Sequence, residues 1–212
     1  RGHALRLGRI RRQKVRLSRE RVLASAIKVM ELYGDSRSVL EVEYFNEVGT
    51  GLGPTLEFFS LVCRELQRRE RRLWREGGGR GEYVHAPGGL FPRALAPQEE
   101  HAERERVERL FEFTGTFVGK ALLDGRLLDL PLSAAFLKAV LGVPLHWSDV
   151  RDVDEAYAAT FGKLVRACGQ RAAVVDGAPV EALALDFTLP GVPTYRLRPD
   201  GEHVQVTAAN LG

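Results

Sequence analysis

The chain has 212 residues, of which 44% are hydrophobic and 28% charged, and its formal net charge is +3. This length and composition suit a globular domain with a hydrophobic core, alone or with a subdomain. No apolar run approaches the roughly 18–20 residues that span a bilayer, and the arginine-rich start excludes a secretory signal, so no membrane partner is expected.

Residues 1–17 form a basic lead segment that carries much of the positive charge. Such a segment could contact nucleic acid, an acidic membrane or an acidic protein. No aromatic residue is interleaved in it to stack on bases. A solvated linker is therefore the favoured interpretation, and nucleic acid is not the expected partner.

The first predicted elements are a helix and a strand. Ser18 is placed to cap a helix whose apolar residues recur with helical spacing until Gly34. Apolar and acidic residues then alternate from Val39 to Phe45, and this alternation predicts a half-buried strand.

A glycine-rich turn follows the strand. It contains Gly49, Gly51 and Gly53, and Pro54 then opens a second helix, where a missing N–H costs nothing. The spacing matches neither a phosphate-binding loop nor a dinucleotide-binding fingerprint. We therefore interpret these four residues as a structural turn, with glycines in conformations that other residues resist.

The middle of the chain alternates between loop and helix patterns. Residues 68–97 lack periodicity, which predicts a mobile surface loop pinned back near Leu90. A third helix is predicted over residues 103–123. Its Gly115 and Gly119 lie four apart on one face and would let another backbone approach closely.

The last third of the chain adds short elements. Ser133 is placed to cap a short helix, and another helix runs from residues 149–154 to Ala167. Leu183 to Leu189 has a strand pattern, and Pro190 with the following glycine turns the chain into a hairpin. The predicted class is α+β and rich in helix.

Candidate catalytic groups are few. Cys63 is expected to be a buried small hydrophobe in mid-helix, and Cys168 lies at a helix end. The two cysteines fit no metal spacing and no disulfide framework, which predicts a reducing location in the cytoplasm, the nucleus or both. With the five histidines scattered, we predict no catalytic residue, no metal and no cofactor.

Three blocks resemble the HECT domain of ubiquitin ligases, in family order. The first spans Val39–Leu66 and reads VLEVEYFNEVGTGLGPTLEFFSLVCREL. The second spans Phe111–Gly142 and reads FEFTGTFVGKALLDGRLLDLPLSAAFLKAVLG. The third spans Leu185–Leu211 and reads LDFTLPGVPTYRLRPDGEHVQVTAANL. The variant EVGTGLGPTLEF is most similar to the large HECT ligases of the KAKTUS type, although most HECT domains have glycine at Pro54 and arginine at Leu56.

The resemblance implies the amino-terminal lobe of a HECT ligase, on which a ubiquitin-conjugating enzyme charged with ubiquitin docks. Ubiquitin then passes to a cysteine in the carboxy-terminal lobe and on to a substrate lysine. We expect residues 18–142 to be the large part of the lobe, 143–189 a small docking subdomain, and 190–212 a hairpin returning to the large part. The carboxy-terminal lobe is expected to be absent, so the chain alone should be inactive. Protein substrates would bind through regions outside this chain.

The resemblance also implies a docking groove. Its positions fall on six residues of a helix and of the strand after it: Tyr157, Phe161, Leu164, Glu181, Leu183 and Leu185. The spacing agrees, because the three helix positions share one helix face and the two leucines share one strand face. The alternative is that these residues pack on one another as core. For the whole chain, the alternatives are a non-catalytic module that binds a conjugating enzyme, and a nucleic-acid binder acting through the lead segment.

Overall fold

The computed structural model describes residues 11–168, 170 and 173–211. Helices provide most of its regular structure and the strands form small two-stranded sheets, so the predicted helix-rich α+β class is confirmed. The chain folds into two compact units. One comprises residues 11–73 and 105–130, and the other comprises 74–104 and 131–211.

The first unit begins with a strand that the sequence did not predict. Strand β1 (Arg12–Leu17) pairs in parallel with β2 (Val39–Tyr44), and helix α1 (Val22–Tyr33) connects them. A helical crossover of this kind is what joins parallel strands. The prediction of a solvated linker is therefore wrong for residues 12–17, and residues 1–10 of the lead segment lie outside the described residues.

Ion pairs across the parallel sheet explain why a charged segment forms a strand. Arg12 and Lys14 pair with Glu41, and Lys14 and Arg16 pair with Glu43, at distances of 3.0–3.5 Å. Every second side chain of β1 therefore meets a carboxylate of β2. These basic residues are already partnered within the fold, so they lend no support to a nucleic-acid-binding role.

Two further predictions in the first unit need correction. Helix α1 begins after Arg21, and no side chain caps it, so Ser18 is not its cap. Helix α3 (His101–Leu123) is confirmed, but a Cβ atom added at Gly115 or Gly119 would meet nothing within 4 Å. Among the described residues, no backbone packs closely against these two glycines.

The core of the first unit is aromatic. Helix α2 (Leu52–Leu66) supplies Phe58 and Phe59, which pack against Phe117 of α3 with ring centroids 6.3 and 5.2 Å away. All three side chains are fully buried. Aromatic side chains of this size contribute much of the hydrophobic stabilisation of a core.

The second unit begins in the segment predicted as a surface loop. Leu90 is buried and its backbone bonds to Pro131 and Ser133, so the predicted pinning near Leu90 is confirmed. Ser133 caps helix α4 (Ala134–Val140) by accepting a hydrogen bond from the N–H of Phe136, as predicted.

The remaining elements of the second unit are a longer helix and several short pieces. Helix α5 spans Glu155–Ala167 and follows a 3-10 helix at Trp147–Asp152. The strands that follow are short and form two hairpins: β3 (Val174–Val175), β4 (Ala178–Pro179), β5 (Thr188–Leu189) and β6 (Val192–Arg196). Further 3-10 turns lie at Val180–Leu183 and Gly201–His203.

The predicted strand from Leu183 to Leu189 is wrong over most of its length. Leu183 ends a 3-10 helix, Ala184 has a φ of +50°, and regular pairing begins only at Thr188. A strand needs extended backbone at every residue. The positive φ at Ala184 breaks that run, so the alternating side chains on which the prediction depended do not lie on one strand. The predicted turn at Pro190 is confirmed by the β5–β6 hairpin.

The two compact units divide the chain differently from the sequence-based division at residues 142 and 189. Val206, from the predicted return segment, packs into the same small core as Ala167, Val175 and Val180. The division into 18–142, 143–189 and 190–212 stays a prediction. No helix in the described part of the chain is long and apolar enough to cross a membrane.

Candidate functional site

The candidate site is built on helix α5, whose first turn is held by several hydrogen bonds. The carboxylate of Asp154 accepts a hydrogen bond of 2.9 Å from the N–H of Tyr157. Arg75 donates to the carbonyl oxygen of Val153 over 2.9 Å and forms an ion pair with Asp154. Partial burial raises the pKa of Asp154, but the hydrogen bonds from Tyr157 and Arg75 outweigh it, so this pKa lies below its usual value.

The segment predicted as a surface loop, which contains Arg75 and Gly88, contributes directly to this arrangement. A Cβ atom added at Gly88 would lie 2.3 Å from the carbonyl oxygen of Asp152, so only glycine fits there without a shift. With Arg75 at one end and Gly88 at the other, the segment packs against the chain that leads into α5.

Tyr157 lies between two neighbours. The guanidinium carbon of Arg75 lies 5.1 Å from the centroid of its ring, within the range of a cation–π contact. A Cβ atom at Gly191 would lie 3.7 Å from its hydroxyl oxygen. The ring is half-buried, so Tyr157 serves packing and surface together.

The other two predicted residues of α5 have different environments. Phe161 is 38% exposed. Leu164 packs against the small core of the unit, beside Ala167 and Val175. Val165, which the sequence did not single out, is 45% exposed one turn after Phe161. The exposed apolar strip of α5 therefore consists of Phe161 and Val165.

The predicted strand residues are also separated by the structure. Leu183 is 36% exposed at the end of its 3-10 helix, whereas Leu185 packs against the small core. Glu181 accepts a 2.8 Å hydrogen bond from the N–H of Ala208, and this bond lowers the pKa of its carboxyl. Glu181 therefore supports a turn. Of the six predicted docking residues, the exposed apolar ones are Phe161 and Leu183.

In the glycine turn of the first unit, Gly51 has a backbone conformation that requires glycine, and Gly53 does not. Gly51 has a φ of +84°, a conformation that residues with side chains resist. Gly49 faces the ring of Pro54, 3.3 Å from an added Cβ. Gly53 lies inside α2 with open space around it, so the prediction of a special conformation is wrong for Gly53.

The two cysteines have different environments. Cys63 is buried in α2, and its burial raises the pKa of the thiol to about 12. This thiol is therefore neutral near pH 7 and is a poor nucleophile. Cys168 is exposed at the end of α5.

A group of potential metal ligands lies at the end of the chain. The ligand atoms of Asp200, Glu202 and His203 lie within 4.8 Å of one another. The carboxylate of Glu202 is already paired with Arg196. Because Arg196 already pairs with one oxygen of this carboxylate, this group gives no argument for a metal.

Comparison with known proteins decides the family. Residues 60–212 match the family described as HECT-domain (ubiquitin-transferase), and this match covers the whole second unit, with α5, and the part of the first unit that follows residue 59. The chain belongs to the HECT-domain family. As the resemblance implied, it is an amino-terminal HECT lobe of the large-ligase type.

Relatives of this HECT lobe come from plants, animals and fungi. It is 40% identical to the E3 ubiquitin-protein ligase UPL3 of Arabidopsis thaliana, over 96% of the chain and 13% of that relative. It is 35% identical to the E3 ubiquitin-protein ligase TRIP12 of Danio rerio, over 96% of the chain and 12% of that relative. It is also 35% identical to ubiquitin fusion degradation protein 4 of Saccharomyces cerevisiae, over 97% of the chain and 15% of that relative. The chain thus spans less than a sixth of the length of these curated relatives.

Proposed function

We propose that this chain is the docking lobe of a ubiquitin-protein ligase. It binds a ubiquitin-conjugating enzyme charged with ubiquitin, and the parent protein accepts the ubiquitin as a thioester on a cysteine outside this chain. The ubiquitin then passes to a lysine of a protein substrate that other regions bind. Membership of the HECT-domain family supports this proposal.

The observation that carries the docking role is the exposure of Phe161. A phenylalanine on a surface is a large apolar group with few alternative rotamers, and such groups dominate the binding energy of small interfaces. Phe161 lies on a helix whose first turn is fixed by Asp154 and Arg75. A rigid anchor loses little conformational entropy on binding.

The neighbouring residues have supporting roles in this proposal. Leu183 offers a second exposed apolar contact. Tyr157 forms the edge of the surface, while Leu164 and Leu185 hold α5 and the following turn on the small core. Glu181 holds the backbone near Ala208. Docking therefore depends on Phe161 and Leu183 directly, on Tyr157 at the edge of the surface, and on the other three residues through the fold.

Calorimetric titration against a panel of conjugating enzymes tests the proposal. We expect micromolar binding, because a relay partner must leave after each transfer and transient interfaces are small. Phe161→Ala should weaken binding by roughly tenfold. Leu32→Ala is the matched control, since Leu32 is an exposed apolar residue of α1 in the other unit. Failure of every panel member to bind would contradict the proposal.

A non-reducing gel separates this function from direct catalysis by the chain. After incubation with a ubiquitin-charged enzyme, no reductant-sensitive adduct should form, since Cys63 is buried with a raised pKa. An adduct lost in Cys168→Ser would make this chain itself a ubiquitin acceptor. A parent that binds the enzyme without transferring ubiquitin would instead be the non-catalytic module.

We also infer that the parent protein works in the cytoplasm or the nucleus. Both cysteines are free thiols, which suits a reducing compartment. Fluorescence microscopy of the tagged parent protein tests this location. A secreted or lumenal signal would contradict it.

A further inference from the structure

Trp147 is a large aromatic residue at the start of the 3-10 helix that precedes α5, and 56% of it is exposed. Trp147 is not one of the six predicted docking residues. Tryptophan is highly buried on average in folded proteins, and it is the residue type most enriched at interface hot spots. Its exposure therefore indicates a surface at which another protein binds.

The backbone beneath Trp147 is held in place. The N–H of His146 donates a 2.9 Å hydrogen bond to the carboxylate of Asp149, and the N–H of Asp149 donates to the backbone carbonyl oxygen of His146, also over 2.9 Å. Lys138 of α4 donates to the other oxygen of Asp149 over 2.5 Å. These bonds fix both ends of the first turn, so Trp147 is presented on a rigid support that need not be ordered on binding.

The indole lies against α5. A Cβ atom added at Gly162 would lie 4.0 Å from Cζ3 of Trp147 and 3.6 Å from Nη1 of Arg166. Gly162 is buried, although its neighbours Phe161 and Val165 are exposed. The edge of the indole thus lies beside Gly162, where an added Cβ would be in ordinary van der Waals contact with it.

Trp147 therefore continues the exposed apolar strip of α5. Val165 lies three residues after Gly162, so the two positions are neighbours on the helix surface, and Phe161 lies one turn before Val165 on the same face. A partner seated on Phe161 and Val165 would meet the indole at the next position across the helix. Arg166, exposed beside the indole, adds a positive charge at that edge.

We propose that Trp147 extends the docking surface for the ubiquitin-conjugating enzyme and helps to select among such enzymes. The inference rests on the proposed function, because the occupant is the enzyme that docks on Phe161. Trp147 contacts an apolar side chain of that enzyme, and Arg166 favours enzymes with an acidic residue beside it. Because the surface of Trp147 continues that of Phe161, both contact the same conjugating enzyme. The positive charge of Arg166 favours an acidic residue on that enzyme.

The test uses the full chain and the same enzyme panel. Trp147→Ala should weaken the best binder by roughly tenfold, while Leu32→Ala leaves its affinity unchanged. Gly162→Leu should displace the indole and cause a similar loss, with little further loss in the Trp147→Ala, Gly162→Leu double variant. Arg166→Glu should reorder the panel, weakening enzymes with an acidic residue at this edge and sparing the others.

The outcomes separate the two proposals. If Phe161→Ala weakens binding and Trp147→Ala does not, the proposed function stands and the extension to Trp147 is wrong. If no enzyme binds the wild-type chain, the proposed function itself fails. If Trp147→Ala changes only the self-association of the chain in analytical ultracentrifugation, the surface joins two copies and the inference is overturned. Thermal unfolding of each variant separates a loss of binding from a loss of folding.

Discussion

Arg75 and Tyr157 form the contact that ties the predicted surface-loop segment to the candidate docking helix. The guanidinium carbon lies 5.1 Å from the ring centroid, and the same guanidinium bonds to Val153 and Asp154. One side chain thus holds the backbone before α5, its capping carboxylate and its first aromatic residue. The first turn of the helix proposed to dock the enzyme is thus held by a residue about eighty positions earlier in the chain.

The first prediction concerns this contact. Arg75→Ala should lower the free energy of unfolding by roughly 1–3 kcal/mol, because charge-assisted hydrogen bonds at a partly buried site contribute in that range. Hydrogen exchange should accelerate in the first turn of α5. Arg75→Lys is the control: it keeps the charge but cannot donate to both partners with one planar group, so it should recover only part of the loss. Unchanged exchange at Tyr157 in Arg75→Ala would contradict this role.

The second prediction is a dependence of stability on pH. The folded-state pKa of Asp154 lies below its usual value. A depressed carboxyl pKa stabilises the fold above the unfolded pKa of about 3.9, and the stabilisation is lost as pH falls through the folded value. Urea denaturation between pH 3 and 7 should show this loss. Asp154→Asn, which still caps the helix but does not titrate, should flatten the profile at its acidic end; an identical slope would contradict the prediction.

The third prediction explains two residues of the second HECT-like block. Lys120 and Asp124 form a 2.8 Å ion pair, with side chains 0% and 2% exposed. Lys120 also donates to the carbonyl oxygens of Ser36 and Ser38, and Asp124 accepts from the N–H of Leu40. The pair therefore joins α3 to the chain that leads into β2.

Removing one member of this pair leaves a buried charge without its partner. Lys120→Met should cost about 3–5 kcal/mol of unfolding free energy, measured by urea denaturation. The double variant Lys120→Met, Asp124→Asn should recover part of that loss, since no buried charge then remains. A double variant less stable than the single variant would show that the unpaired charge is not the cause of the lost stability.

The fourth prediction compares two glycines of one turn. Gly51→Ala should destabilise the lobe by roughly 1–3 kcal/mol, because its φ of +84° and ψ of −140° are nearly restricted to glycine. Gly53→Ala should be neutral or stabilising by up to about 1 kcal/mol, because alanine is the better helix former. Differential scanning calorimetry of both variants measures the contrast. Equal melting temperatures would contradict the structural account of the turn.

The helices were the most predictable part of the fold. Their apolar spacing and punctuation, such as Ser133 before α4 and Gly125 after α3, are local signals that the structure confirms. Strand β1 was missed because the interactions that make it a strand involve residues far away in the sequence. Arg12, Lys14 and Arg16 resemble a solvated charge run until they meet Glu41 and Glu43, about 27–29 residues later.

The candidate site was less predictable for a related reason. Spacing placed Phe161 and Leu164 on one helix face, but only packing shows that Leu164 joins the small core while Phe161 stays exposed. Likewise, nothing local indicates that Glu181 bonds to Ala208. Trp147 lies beside Gly162, fifteen residues away, and nothing local to either residue indicates that contact. Burial is a property of the assembled unit, and periodicity alone does not report it.

The most direct test of the account is to map the docking surface by nuclear magnetic resonance. The isotope-labelled chain is titrated with the unlabelled conjugating enzyme that binds best, and the backbone amide shifts are followed. The account predicts that the largest changes cluster at residues 157–165 and at Leu183, with Trp147 included if the further inference holds. Changes confined to β1 and α1, with α5 unaffected, would contradict the claim that this lobe docks its enzyme through Phe161.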